Sequence, residues 1–143
     1  MIPHNLVDQR VFQFILHREI HTATRLQYCL SLLCLTPDRP RRAAAPASLS
    51  RLAALLVSQL RATDLAARLD SSGVALLLVD AETRTLPKIL ERLKGGLEGI
   101  VTLSGGGGCY PQTATTGPEL LQQALALMTR AHAEGGNRLH LPP

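Results

Sequence analysis

Two short apolar segments separated by four turn-forming residues constrain the fold more than any other feature of this sequence. Residues 64–69 and 74–79 have the length and apolar content of buried strands, and Asp70-Ser71-Ser72-Gly73 lies between them. Asp, Ser and Gly favour turns, so the stretch predicts a β-hairpin in which Gly73 is free to adopt a positive φ. Helix-forming segments flank the hairpin on both sides. This arrangement indicates a mixed sheet covered by helices.

Apolar periodicity, Pro and Gly indicate the remaining elements. In chain order they are a helix over 9–27, a strand over 28–35, a helix from Ser48 or Ser50, a helix from Thr83 or Thr85 to 95–96, a strand over 100–103, a helix over 118–134 and a strand over 138–141. The run Gly105 to Gly108 is interpreted as a bulged strand end, because no Walker-type Lys or helix start follows it. The order αβαββαβαβ predicts an α+β, ferredoxin-like fold with a mixed, mostly antiparallel sheet flanked by helices.

Length and composition bound the organisation of the chain. Its 143 residues suit one domain, 1–143, with an N-terminal extension over 1–7 and a Pro- and Ala-rich loop over 36–48. The net charge is +4, but the 15 Lys and Arg residues are spread along the chain, which does not favour a nucleic acid polymer as partner. No apolar stretch is long enough to span a bilayer. Three cysteines, an odd number, fit a reducing cytoplasm.

Three consecutive segments, Arg61 to Asp64, Leu65 to Leu69, and Asp70-Ser71-Ser72-Gly73-Val74, follow the hairpin's pattern without a gap. In this order they resemble the R-x-x-D segment, the five-residue spacer and the GGDEF turn of the bacterial GGDEF family of diguanylate cyclases. Further matches are Glu91 to Lys94 with the E-R-I-R helix pattern, Val101 to Ser104 with the T-x-S-x-G strand, and Ala124, Ala131, Gly135, Asn137 and Arg138 with the closing motif. The resemblance runs from about Asp8 to the C-terminus and implies the GGDEF-type fold.

The catalytic positions implied by this resemblance depart from the family. The family's metal-binding carboxylates correspond to Thr36 and to Ser72 and Gly73 of the degenerate turn, and Asp38 alone matches the second acid of the D-x-D motif. Mg²⁺ prefers carboxylate oxygens, so the sequence predicts no metal site and no cofactor. A further change is His132, which replaces the lysine of the closing motif. We therefore expect a domain that is not an enzyme and cannot synthesise cyclic di-GMP.

Three residues match the family's inhibitory product-binding site. Arg61, Asp64 and Arg92 correspond to it residue by residue, and Arg68 is a possible secondary contact. The guanidinium group of an arginine can donate paired hydrogen bonds to guanine O6 and N7 or to phosphate oxygens. A carboxylate can accept hydrogen bonds from guanine N1–H and the 2-amino group. The resemblance implies a cytoplasmic bacterial receptor that binds cyclic di-GMP and a partner protein or a second copy of itself. The alternative for the triad is a surface ion pair and a solvated arginine.

Two other possibilities remain at this stage. A domain that binds no nucleotide could serve as a structural or protein-interaction module, for example in dimerisation. His17 and His21 have the i, i+4 spacing of a metal-binding pair, but zinc sites need three or four ligands, so an exposed helical pair is favoured.

Overall fold

The computed structural model describes residues 6–38, 54–55, 58–70, 73–96 and 102–143. Parts of the predicted 36–48 loop, the helix start at Ser48 or Ser50, Ser71, Ser72 and the strand start at 100–101 lie outside these ranges. Residues 54–55 and 58–59 are helical, as expected for the helix that precedes the hairpin. None of the helices in the described ranges combines the length and apolar character needed to cross a membrane.

The described strands form one sheet in the order β1-β3-β4-β2-β5-β6. The strands are β1 (Leu6–Asp8), β2 (Leu30–Pro37), β3 (Leu65–Arg68), β4 (Val74–Val79), β5 (Leu103–Tyr110) and β6 (Arg138–His140). The two outer pairs, β1 with β3 and β5 with β6, are parallel, and the inner pairs are antiparallel. The predicted hairpin is confirmed, with Leu65 opposite Leu77 and Arg68 opposite Val74.

The central strand β2 explains why its sequence lacks polar alternation. Leu30, Leu32 and Cys34 contribute to the core on one face of the sheet, while Leu33 and Leu35 contribute to the core on the other. Because side chains alternate across a strand, a strand covered on both faces reads as a continuous apolar run.

Helices cover both faces of the sheet. The helices α1 (Gln9–Leu26) and α3 (Gly117–Ala133) pack on one face, and α2 (Leu86–Gly96) packs on the other after a 3₁₀ turn at Thr83–Thr85. Asp8 caps α1 by accepting a hydrogen bond from the Val11 N–H (2.8 Å), and Thr116 caps α3 through the Glu119 N–H (3.2 Å). The α+β class and the positions of α1, α2 and α3 are thus confirmed.

The expected element order is incomplete at its start. Residues 6–8, assigned to an N-terminal extension, form strand β1 and pair in parallel with β3, with Leu6 opposite Ala66. A three-residue edge strand is too short to show any period, so only the pairing with β3 reveals it.

The interpretation of the glycine run as a bulged strand end is wrong. Gly105 to Gly108 form the middle of β5 and pair with β2 residue by residue, from Leu35 opposite Gly105 to Leu32 opposite Gly108. Glycines occur here because α3 and other neighbours approach the strand closely. A Cβ at Gly106 would lie 2.2 Å from both the Ala124 carbonyl oxygen and the Met128 amide nitrogen. The glycines therefore permit helix-to-sheet contact rather than a turn.

Candidate functional site

A cavity of about 570 Å³ lies at the end of the sheet where the segment before β3, the end of β4 and helix α2 meet. Its walls include all three residues of the predicted triad, Arg61, Asp64 and Arg92. The remaining lining residues are Cys29, Gln59, Leu60, Leu76, Leu78, Asp80, Ala81, Glu82, Arg84, Thr85, Ile89 and Leu93. The cavity therefore has aliphatic walls with charged groups, and none of its described lining residues is aromatic.

Asp64 is the buried anchor of this site. Its Oδ2 atom accepts hydrogen bonds from the Arg61 backbone N–H (3.1 Å) and from Arg61 Nε (3.3 Å), and its Oδ1 accepts from the Val79 N–H (3.2 Å). The Asp64 side chain is only 4% exposed. Three of the roughly four acceptor positions of the carboxylate are thus in use within the protein. The main effect of Asp64 is to fix the segment before β3 against the end of β4.

Arg61 is held in place while remaining accessible. Its Nη2 atom donates to the Val79 carbonyl oxygen at 2.7 Å, and its side chain is 61% exposed. The predicted ion pair between Arg61 and Asp64 is therefore present, but it is not a simple surface pair, because one partner is buried. The contacts with Asp64 and Val79 fix the guanidinium at the cavity wall. Less side-chain conformational entropy is therefore lost when a ligand binds.

The other charges of the cavity differ in whether they have partners. Arg84 pairs with Glu82 in an exposed ion pair. The side chains of Arg92 on α2 and Asp80 after β4 form no hydrogen bond or ion pair with any residue that the structure describes. Among its described lining residues, the cavity thus presents the unpaired side chains of Arg92 and Asp80, together with the fixed guanidinium of Arg61.

Arg68 does not belong to this cavity. It ends β3, whereas Asp64 precedes the same strand, and at roughly 3.3 Å per residue the two lie on the order of 13 Å apart along the chain. The side chain of Arg68 is exposed near the turn between β3 and β4. The structure thus groups Arg61, Asp64 and Arg92 but separates Arg68 from them.

The turn between β3 and β4 lies at the opposite end of the hairpin from the cavity. The Asp70 N–H donates to Gln9 Oε1 (2.8 Å), and the Leu69 N–H donates to the Gly73 carbonyl oxygen (2.8 Å). The expectation of positive φ at Gly73 is wrong. Glycine is required there for space, since a Cβ would lie 2.6 Å from the Leu35 carbonyl oxygen. Val74 follows, fully buried, as the first residue of β4.

Asp38, at the end of β2, is fully engaged in hydrogen bonds. Oδ1 accepts from Ser104 Oγ (2.6 Å) and lies 3.1 Å from His132 Nδ1, and Oδ2 accepts from Thr102 Oγ1 and from the Asn137 N–H (2.8 Å). Burial acts to raise the pKa of Asp38, but the hydrogen bonds from Ser104, Thr102, Asn137 and His132 outweigh it and hold that pKa below its usual range. All four acceptor positions are occupied, so this carboxylate ties β2, the start of β5 and the end of α3 together.

The described residues at this edge do not fit a Mg²⁺ site. Asp38 has no free lone pair for a cation, and Thr36 offers a hydroxyl where the resemblance implies a carboxylate. Across the described ranges, no three His, Cys, Asp or Glu side chains are grouped so as to hold a metal ion. The imidazole rings of His17 and His21 contact each other edge to face on the exposed side of α1, and their centroids are 4.7 Å apart.

Several polar residues of the cavity were missed by the sequence interpretation, among them Gln59, Asp80, Glu82, Arg84 and Thr85. Asp80 and Glu82 lie in the turn after β4, and Gln59 lies just before Arg61. Their proximity depends on how β4 and α2 converge, which no local pattern encodes. One sequence signal was present. The R-x-x-D segment precedes the first strand of the hairpin and Val79 ends the second, so the pairing of the two strands brings Val79 and Asp80 close to Asp64.

Comparisons with solved structures identify the fold as that of GGDEF domains. The GGDEF domain of TpbB (YfiN) from Pseudomonas aeruginosa aligns with a TM-score of 0.83 and 24% identity, covering 96% of this chain and 91% of that one. The GGDEF domain of DgcB from Caulobacter crescentus, in complex with cyclic di-GMP, gives a TM-score of 0.83 at 16% identity over 99% of this chain and 91% of that one. A microbial GGDEF domain described for its interaction mode with cyclic di-GMP aligns with a TM-score of 0.80 and 22% identity, covering 94% of this chain and 93% of that one.

Sequence comparison alone identifies no relative. No protein-family model matches the chain, and no curated protein does. At these identities the structural likeness shows the GGDEF fold alone.

Proposed function

We propose that this domain is a catalytically inactive receptor that binds cyclic di-GMP in the cavity formed by Arg61, Asp64 and Arg92. The observation that carries the proposal is that Arg92 on α2 lines the same cavity as Arg61 and Asp64, which belong to the separate segment before β3. The volume of about 570 Å³ falls within the usual range for small-molecule sites. The solved complex of the DgcB GGDEF domain with cyclic di-GMP supports the choice of ligand.

The chemistry of the cavity suits a cyclic dinucleotide. Arg61 and Arg92 provide guanidinium groups that pair with phosphate oxygens or with guanine O6 and N7, and their planes stack on bases. Leu76, Leu78 and Ile89 provide apolar surface for the purine faces. Because Asp64 is buried and already accepts three hydrogen bonds, its part in binding is to position Arg61.

We infer the lack of cyclase activity from residues at the other end of the sheet. Asp38 already accepts four hydrogen bonds, and Thr36 and Gly73 stand where the resemblance implies metal-binding carboxylates. Without metal ligands, phosphate charge in a nucleoside triphosphate is not neutralised and a 3′ hydroxyl is not activated. The domain therefore responds to cyclic di-GMP rather than producing it.

The variant Arg92→Ala tests the receptor function. Arg92 has no partner among the described residues, so its removal leaves the folded protein intact, while a charge-assisted hydrogen bond to the ligand is lost. We expect isothermal titration calorimetry to show cyclic di-GMP bound by the unmodified chain and bound about 10- to 100-fold more weakly by the variant.

Lys88→Ala is the matched control for that experiment. Lys88 is exposed on the same helix but does not line the cavity, and its loss changes the net charge equally. Its affinity for cyclic di-GMP should remain within about twofold of the unmodified chain. Equal weakening by both variants would indicate general attraction of an anion, and no heat with the unmodified chain at high micromolar ligand would refute the receptor function.

The competing function is a homodimerising module that binds no nucleotide. Phe14 and Val11 on α1 favour it, because they are 63% and 42% exposed. Such a module would show no ligand-dependent change in melting temperature, whereas a receptor is stabilised in proportion to RT ln(1 + [L]/Kd).

A further inference from the structure

The charged side chains that line the cavity balance one another in the free domain. The described lining residues include three arginines and three acids, namely Arg61, Arg84, Arg92, Asp64, Asp80 and Glu82. A cyclic dinucleotide brings two phosphate groups, so the acids of the wall oppose its binding. The positive charge that such a ligand meets therefore depends on which arginines are already paired.

Arg84 is paired with an acid that also lines the cavity. Its Nε atom lies 2.5 Å from Glu82 Oε2, and the two side chains are 83% and 55% exposed. The terminal nitrogens of Arg84, Nη1 and Nη2, have no hydrogen-bond partner among the described residues. Because a guanidinium has five N–H donors, most of the donors of Arg84 remain available although its charge is neutralised.

The backbone fixes the place of this ion pair at the cavity. Arg84 lies in the 3₁₀ turn Thr83–Thr85, and Glu82 directly precedes that turn. The Thr85 N–H and Oγ1 both donate to the Glu82 carbonyl oxygen, at 3.0 and 2.6 Å. The Glu82 side chain caps none of the N–H groups of the turn, so its carboxylate has Arg84 as its partner. The turn is thus held by its backbone, and the two side chains can change partners without disturbing it.

The Arg84–Glu82 pair differs in this respect from the Arg61–Asp64 pair. Water and salt screen an exposed ion pair, which therefore contributes little to stability. A phosphate group is a stronger partner, because it accepts two parallel, charge-assisted hydrogen bonds from one guanidinium. Asp64, by contrast, is 4% exposed and also accepts from the Val79 N–H, so a ligand cannot displace it at low cost.

We propose that Glu82 competes with the ligand for Arg84: it pairs with Arg84 in the free domain, and a phosphate group takes its place when a cyclic dinucleotide binds. The proposal rests on the proposed receptor function and adds a third arginine to the site, outside the matched triad. Glu82 then lowers the affinity of the domain for its ligand, and Arg84 raises it.

Glu82→Gln and Arg84→Ala test this competition by calorimetry with cyclic di-GMP. We expect Glu82→Gln to bind about 3- to 10-fold more tightly than the unmodified chain, because no ion pair must be broken, and Arg84→Ala to bind about 5- to 20-fold more weakly. Glu91→Gln is the control. Glu91 is exposed on α2, does not line the cavity and pairs with Lys94, so its loss should change the affinity by less than about twofold.

The double variant Glu82→Gln/Arg84→Ala separates competition from repulsion. If Glu82 acts through Arg84, the double variant binds like Arg84→Ala. If Glu82 only repels the ligand, the gain from Glu82→Gln persists in the double variant and the inference is wrong. The inference is also wrong if the unmodified chain binds cyclic di-GMP and Glu82→Gln binds it no more tightly, and the receptor function then stands. If the unmodified chain binds no cyclic di-GMP, both are refuted.

Discussion

Replacing Gly106 by alanine is expected to destabilise the domain by about 3 kcal/mol or more. The added Cβ would lie 2.2 Å from the Ala124 carbonyl oxygen and the Met128 amide nitrogen, both of them backbone atoms of α3. A side chain could rotate away, but a helix backbone must shift as a whole, and α3 also packs on β2 and α1. Urea-induced unfolding followed by circular dichroism measures the change.

Gly95→Ala is the matched control for this substitution. Gly95 lies in α2, and a Cβ there meets no atom within 4 Å. Alanine in a helix is favoured over glycine by roughly 0.5–1 kcal/mol, so this variant should be slightly more stable than the unmodified chain. If Gly106→Ala were as stable as Gly95→Ala, the close packing of α3 on β5 would be incorrect.

Replacing Asp38 by asparagine is expected to cost about 2–4 kcal/mol of unfolding free energy at neutral pH. An amide offers one oxygen and one NH₂ group where the carboxylate accepts four hydrogen bonds, so the Ser104, Thr102 and Asn137 donors cannot all be satisfied. Asp70→Asn provides the control, because Asp70 is exposed and only its backbone N–H takes part in a described hydrogen bond. That control should stay within about 0.5 kcal/mol of the unmodified chain.

The effect of Asp38 depends on pH in a defined direction. Its pKa is lower in the folded than in the unfolded chain, where an aspartate titrates near about 3.9. The stabilisation is therefore fully present above about pH 4 and is lost as the pH falls through the folded pKa. The difference in stability between the unmodified chain and Asp38→Asn should shrink over that range. A constant difference down to the acid transition would show that ionisation of Asp38 does not matter.

Local sequence patterns were sufficient to predict the hairpin and the helices α1, α2 and α3. The turn residues between two apolar segments fixed the pairing of β3 with β4, and the periodic apolar positions of α1 fixed its buried face. The grouping of Arg61, Asp64 and Arg92 could also be expected, because it follows from the resemblance and from the order of elements.

Features that depend on contacts between distant segments could not be predicted. Gly105 to Gly108 looked like a strand end because glycine is rare inside strands, and only the approach of α3 explains their position. The three residues of β1 carry no period of their own.

A backbone NMR titration tests the central claim most directly, namely that this domain binds cyclic di-GMP in the cavity and not at the turn between β3 and β4. With saturating cyclic di-GMP, we predict chemical-shift changes at the amides of Asp64, Val79 and Arg92, and none at Asp70 and Gly73. In a parallel sample, GTP and Mg²⁺ should leave Asp70 and Gly73 unchanged and yield no cyclic di-GMP. Changes centred on Asp70 and Gly73, formation of cyclic di-GMP, or no changes at the cavity would contradict the account.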